Sequence, residues 1–232
     1  MQFGPFLPLS ILAALTLAGC DTVGMWPIKG LVSAPMHLNG SIKNDRYTAP
    51  EGYFSVAVPF KAGSESRDSM QVKETKDENQ AYVSFGLASK LFFRASATRR
   101  LTTMNFDFDA LAPKVIDGFK AEIQSAYQAP LIEKESRQET INGKRAFAYI
   151  LTQEVPPGVL EQSSVALTHY VYVVRLESGV AVLSLQAPAL WKNQGPANEQ
   201  KYREFERKYW ESLITEVHDF AASVEMPLSS SL

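Results

Sequence analysis

The chain has 232 residues, of which 45% are hydrophobic and 21% charged, a composition that excludes a wholly disordered protein. Its formal net charge of −2 provides no electrostatic attraction to nucleic acid, so we expect no nucleic-acid partner. The sequence contains one cysteine and therefore no pair for a disulfide, so the fold must be held by its core alone.

The first residues have the pattern of an export signal. Residues 9–18 form an uncharged apolar run, which is shorter than the roughly 20 residues that span a bilayer. An apolar run of this length followed by small residues is typical of a secretory signal peptide. The next residues, Leu17-Ala18-Gly19-Cys20, resemble the lipobox of bacterial lipoproteins, in which the cysteine thiol receives a diacylglyceryl group before cleavage. We therefore predict a signal peptide over residues 1–19 and lipidation of Cys20.

A tether is predicted to follow the lipidated cysteine. Residues 20–45 are rich in glycine, proline and serine and show no sustained apolar period, although residues 36–42 are an alternative edge strand. The first partner is then the membrane itself, contacted through the lipid on Cys20. Asp21 resembles the residue that withholds enteric-type lipoproteins from outer-membrane sorting, which implies the periplasmic face of the inner membrane.

The apolar pattern from residue 46 to residue 226 predicts one α+β domain, followed by a flexible tail over residues 227–232. Residues 109–127 have a helical stripe of Leu111, Val115, Phe119 and Ile123, and Asp107 or Asp109 can cap this helix. The other expected elements are strands at 54–58, 70–76, 81–86 and 90–97, hairpin strands at 131–141 with 145–155 and at 166–176 with 180–187, and a helix at 198–226 whose stripe is Tyr202, Phe205, Tyr209, Leu213, Val217, Phe220 and Val224. Asn142-Gly143 is the turn of the first hairpin.

The start of this domain carries a second resemblance. Tyr47-Thr48-Ala49-Pro50-Glu51-Gly52-Tyr53-Phe54-Ser55-Val56, followed by Pro59, is similar to the opening of PsbP-like and Mog1-like domains. The resemblance implies an α/β/α sandwich, in which an antiparallel sheet of about six strands has two main helices packed on it. It also implies a non-enzymatic accessory or assembly role, because that superfamily is known mostly for binding partners.

No familiar catalytic, nucleotide-binding or zinc motif is present, so the sequence predicts no catalytic residue, no cofactor and no metal. His169 shares a strand face with Leu167 and Val171, and it is either a general base or a half-buried, hydrogen-bonded structural residue. His218 and Asp219 are neighbours in a helix, where adjacent side chains diverge, so they predict no dyad.

Two kinds of function remain open. The first is a membrane-tethered module that engages a protein partner in the cell envelope. The alternatives are a hydrolase that uses His169 as its base, or a carrier of a small ligand. A pocket with polar groups converging on His169 favours the alternatives, whereas a closed core with a bare surface patch favours the interaction module.

Overall fold

The computed structural model describes residues 38–76, 80–88, 91–99, 106–177, 179–188 and 199–226. Outside the described residues lie the predicted signal peptide, Cys20 and Asp21, most of the predicted tether, and the predicted tail at 227–232. The strands are β1 (Ser41–Lys43), β2 (Arg46–Thr48), β3 (Ser55–Ala57), β4 (Gln71–Lys76), β5 (Gln80–Gly86), β6 (Phe92–Arg99), β7 (Ile132–Ile141), β8 (Lys144–Val155), β9 (Val165–Arg175) and β10 (Gly179–Pro188). The helices are α1 (Glu65–Asp68), α2 (Phe108–Tyr127) and α3 (Glu199–Ala222).

A seven-stranded antiparallel sheet is the centre of the fold, in the order β4-β5-β6-β10-β9-β8-β7. One face packs against α3 and the other against α2, and each face has its own apolar cluster. The α+β class and the sandwich are therefore confirmed, with seven strands where about six were expected. Each predicted strand lies within two residues of the observed one at both ends.

The predicted turn at Asn142-Gly143 joins β7 to β8. Both residues have positive φ, 47° and 75°, as the tight turn of a two-residue hairpin requires. The pairing starts at Ile141 opposite Lys144 and continues along both strands. This local signal thus fixed the pairing of two strands correctly.

The two long helices are present, and both differ in detail from their predicted apolar stripes. Asp107 caps α2, because its Oδ1 accepts from the backbone amides of Asp109 and Ala110 at 3.1 and 3.2 Å. The buried line of α2 includes Ala112 and Ile116, while the predicted Leu111 and Val115 lie at the margin of the cluster. The first part of the stripe is therefore shifted by about one residue from the prediction, whereas Ile123 is buried as predicted.

In α3 only the C-terminal half of the stripe is covered by the sheet. Leu213, Val217 and Phe220 are buried, Tyr209 is half-buried and Phe205 is exposed. The helix ends at Ala222, not Met226, because Glu225 exchanges backbone hydrogen bonds with Ser55 of β3 at 2.8 and 2.9 Å.

A small sheet, β1-β2-β3, precedes the large one and begins inside the predicted tether. The alternative of an added edge strand thus fits residues 41–43 better than a tether does. Glu74 of β4 links the two sheets. Its carboxylate accepts from the backbone amides of Asn39 and Gly40, and from the Tyr47 hydroxyl at 2.6 Å.

Candidate functional site

His169 lies in the middle of β9, on the face of the sheet that α2 covers. It is only 1% exposed, so it is more deeply buried than the half-buried structural residue that the sequence had indicated as one alternative. Nε2 lies 2.8 Å from Oε1 of Gln153, so this nitrogen donates to the amide oxygen. The ring also meets Phe119 of α2 in an edge-on contact, with the ring centroids 6.5 Å apart.

The surroundings of His169 keep it uncharged. Burial, with a smaller contribution from the positive charge of Arg94, lowers the pKa of His169 to about 3. A general base works best when its pKa lies near the operating pH and when it can reach the proton that it removes. His169 meets neither condition, and the structural interpretation therefore describes it better than the catalytic one.

Polar side chains extend from His169 across the sheet in both directions. Antiparallel register sets Gln186 of β10 directly opposite His169, and sets Arg94 of β6 opposite Ser184, two residues before Gln186. On the other side, Gln153 of β8 is the diagonal neighbour of His169. We call Arg94, Gln186, His169 and Gln153 the polar row, since together they cross four adjacent strands.

The two glutamines of the polar row are buried and only partly hydrogen-bonded. Gln186 is 1% exposed, and its Oε1 accepts from the Tyr127 hydroxyl at 2.9 Å and from Nη2 of Arg94 at 3.4 Å. Gln153 is 3% exposed, and its Oε1 accepts from His169. The Nε2 atoms of both glutamines have no hydrogen-bond partner. Leaving a buried donor unsatisfied costs about 1–3 kcal/mol.

Glu122 of α2 is the carboxylate that influences this site. It is half-buried, and burial raises its pKa, while the positive charge of Arg94 acts in the opposite direction. Arg94 and Glu122 therefore interact electrostatically across the space between the sheet and α2.

Sequence reasoning found His169 in this site and missed the other members. Arg94, Gln153 and Gln186 are far apart in the chain, and no local motif connects them. The available signal was weaker: Gln153 occupies an inward position of β8, between the buried residues Leu151 and Val155. A polar residue at an inward position marks a buried polar group that needs a partner.

The remaining candidate residues and cavities offer little for catalysis or ligand binding. His218 lies with its Nδ1 3.6 Å from Oδ1 of Asp219, which is too long for a hydrogen bond, and both side chains are exposed. A shallow cavity of about 160 Å³ lies at the start of α2, lined by Phe106, Asp107, Ala110, Leu111 and Lys114, and contains no member of the polar row.

Within the described residues, no His, Cys, Asp and Glu side chains cluster as metal ligands, and no helix has the length and apolarity to span a membrane.

The sequence matches no protein-family model and no curated protein. Among solved structures, the chain is similar to the solution structure of cyanobacterial PsbP (CyanoP) from Synechocystis sp. PCC 6803, with a TM-score of 0.47 and 10% identity over 78% of this chain and 91% of CyanoP. It is also similar to a protein from Bacteroides thetaiotaomicron VPI-5482, with a TM-score of 0.41 and 10% identity over 82% of this chain. The match spans 51%, about half, of the length of that protein. The structural neighbours thus include a PsbP-like protein.

Proposed function

We propose that this chain is a lipid-anchored accessory module of the bacterial cell envelope, which works by binding a protein partner and not by catalysis. The lipobox at Cys20 supports the anchor, and the residue that follows it, Asp21, supports the periplasmic face of the inner membrane. The burial of His169 supports binding over hydrolysis, because this histidine was the base that the hydrolase hypothesis required.

The observation that carries the proposal is the exposure of Phe205 at the end of the apolar stripe of α3. Phe205 is 61% exposed, and among the described residues no other large hydrophobic side chain is as exposed. It continues the stripe of Leu213, which is buried two turns further along the helix. Tyr209 and Trp210 lie between them, half-buried, with their ring centroids 5.3 Å apart. Aromatic side chains that combine large area with few rotatable bonds dominate protein interfaces.

The charges around this face favour a protein partner over a lipid surface. Lys208 pairs with Glu204 at 2.9 Å, and Arg207 pairs with Glu211 at 2.8 Å. The basic side chains are thus balanced along the same helix by acidic ones, whereas helices that lie on anionic lipid carry an excess of Lys and Arg. A polar rim of both signs around an aromatic centre is the usual anatomy of a protein interface.

The test places a photo-crosslinking amino acid at position 205 in cells and, as a control, at the exposed Thr215 of the same helix. We expect a discrete crosslinked adduct from position 205 and none from position 215. In parallel, Phe205→Glu should fail to complement a deletion strain while remaining folded and membrane-bound, and Thr215→Glu, which adds the same charge, should complement. Full complementation by Phe205→Glu, with no adduct beyond the Thr215 control, would refute the proposed interface.

Location is tested separately from the interface. Separation of the membranes on a sucrose gradient should recover the lipidated chain in the inner-membrane fraction. Recovery in the outer membrane would overturn the assignment based on Asp21 and would leave the interface on α3 unaffected.

A further inference from the structure

The large sheet ends at β7, and this strand presents an open edge. β7 is ten residues long, whereas an average strand has about five or six. Its one neighbour among the described strands is β8. The opposite edge strand, β4, has six residues and is linked to the small sheet through Glu74. β7 is therefore the longer edge, and a further strand can be added to it.

The turn after β7 determines which of its backbone groups point outward. A two-residue turn makes its flanking residues, Ile141 and Lys144, a hydrogen-bonded pair, and bonded and non-bonded positions then alternate along β7 and β8. The N–H and C=O groups that point away from β8 belong to Ser136, Gln138 and Thr140. All three residues are exposed, so a second strand can reach these groups.

The charges between these positions select the strand that can pair here. Arg137 lies between Glu135 and Glu139 on the face that α3 covers, and donates to them at 2.6 and 3.0 Å. Oε2 of Glu139 accepts one of these bonds, and its Oε1 has no hydrogen-bond partner within the described residues. The carboxylate can therefore accept from a second guanidinium. Charges on an edge strand repel most other strands and admit one whose charges are complementary.

We infer that the complementary strand is β7 of a second copy of this chain, paired antiparallel about a two-fold axis at Gln138. This register sets Arg137 of each copy opposite the partner's Glu139, so two ion pairs cross the interface. An axis at Arg137 would set two guanidinium groups opposite each other. An axis at Ser136 would extend the pairing into the bulge near the start of β7. A shift by one residue would set outward backbone groups against inward ones.

The experiment measures the mass of the full-length chain in detergent by sedimentation equilibrium. We expect a monomer–dimer equilibrium for the wild type. Gln138→Pro removes an N–H that β8 does not use, so this variant should fold and remain monomeric. Arg137→Glu should weaken dimerisation at least about tenfold, because both cross-strand pairs become pairs of like charges. Adding Glu139→Arg to Arg137→Glu should restore the dimer.

Two variants are controls for charge and for surface. Arg145 of β8 has the same side-chain exposure as Arg137, 44%, and Arg145→Glu should leave the dimer intact. Phe205→Glu, which tests the interface on α3, should also leave it intact. Failure of that interface is therefore distinguishable from failure of the dimer. If Gln138→Pro does not fold, Arg137→Glu and its rescue decide the question.

Crosslinking in cells identifies the partner. A photo-crosslinking amino acid at position 138, in cells that express two differently tagged copies, should give an adduct that carries both tags. An adduct with other proteins only would overturn the inference. So would a wild type that stays monomeric at every concentration, or a dimer that neither Gln138→Pro nor Arg137→Glu weakens.

Discussion

At the scale of single residues, His169 shows how its surroundings decide the role of an ionisable side chain. The strand pattern placed it correctly on a face with Leu167 and Val171, and both are buried beside it. Neither Leu167 nor Val171 indicates that Gln153, sixteen residues earlier in the chain, accepts the hydrogen bond that His169 donates. The partner comes from the register of two strands, and that register is a property of the folded sheet.

The low pKa of His169 predicts a specific loss of stability in acid. The unfolded chain binds a proton at this histidine below about pH 6.5, whereas the folded chain binds it only near pH 3. Since the unfolded state binds more protons in this window, stability falls as the pH falls. Between pH 7 and pH 5 the contribution of His169 to the free energy of unfolding should fall by about 2 kcal/mol.

Urea denaturation at the two pH values measures this difference. His169→Gln is the matched variant, because its amide can still donate to Gln153 and does not titrate. We expect the variant to lose about 2 kcal/mol less than the wild type between pH 7 and pH 5. Equal losses in both proteins would show that His169 titrates normally and is not buried as described.

The polar row could not have been predicted as a site, although each residue was visible in the sequence. Arg94 and Gln186 occupy strands that are far apart in the chain, and β6 becomes the neighbour of β10 only when the sheet assembles. The alternation of apolar and polar residues in a single sequence indicates that each polar residue has an inward position. It does not indicate the order of the strands in the sheet, and this order brings the residues together.

At the scale of elements, a local sequence signal predicted the structure correctly where the backbone conformation admits few residue types. The Asn142-Gly143 turn requires positive φ at two successive residues, and few other pairs allow this. The small sheet is the opposite case, since β1 and β2 have three residues each and carry no period that can be recognised. Long-range contacts, such as that of Ser55 with Glu225, hold it in place.

The contact between Glu74 and the segment before β1 predicts that a substitution at Glu74 changes hydrogen exchange locally, in that segment. Glu74→Gln removes the charge of the carboxylate, so the hydrogen bonds that the amides of Asn39 and Gly40 and the hydroxyl of Tyr47 make with this side chain become weaker. Hydrogen exchange at Asn39 and Gly40 should accelerate at least about tenfold, because a hydrogen bond to a charged group contributes more than 1.4 kcal/mol.

Glu51→Gln is the control for this experiment. Glu51 is an exposed carboxylate whose partner is Lys76, at 2.8 Å, and an exposed pair contributes little to stability. Exchange at Asn39 and Gly40 should therefore remain as in the wild type. If both variants accelerate exchange equally, the loss of a negative charge and not the loss of this contact explains the effect.

At the scale of the whole molecule, the fold follows from two apolar helix faces and one sheet with two buried sides. Each helix must cover its stripe, and opposite faces of the antiparallel sheet accept one helix each. The apolar periods, which change from two to 3.6 at the correct places, predicted the α+β class, whereas the sandwich was implied by the resemblance at the start of the domain. It did not predict that α3 leaves Phe205 uncovered, since a stripe does not reveal where the sheet beneath it ends.

The final prediction concerns attachment of the whole molecule to the membrane. Cys20→Ser should abolish lipidation, because serine lacks the thiol that accepts the diacylglyceryl group. Two acyl chains give stable anchoring where one does not, at about 0.8 kcal/mol for each buried CH₂. The wild-type protein should therefore incorporate a clickable palmitate analogue and resist carbonate washing, whereas Cys20→Ser should remain as an unlabelled precursor or become soluble after cleavage elsewhere.

A second variant tests whether a thiol alone is sufficient for lipidation. Ser10→Cys combined with Cys20→Ser restores a thiol within the apolar run, away from the small residues that precede position 20. Lipidation depends on those small residues as well as on the thiol, so this double variant should also remain unlabelled. If Cys20→Ser alone still incorporates the analogue and stays with the membrane after washing, another residue carries the lipid, because the chain contains no second cysteine.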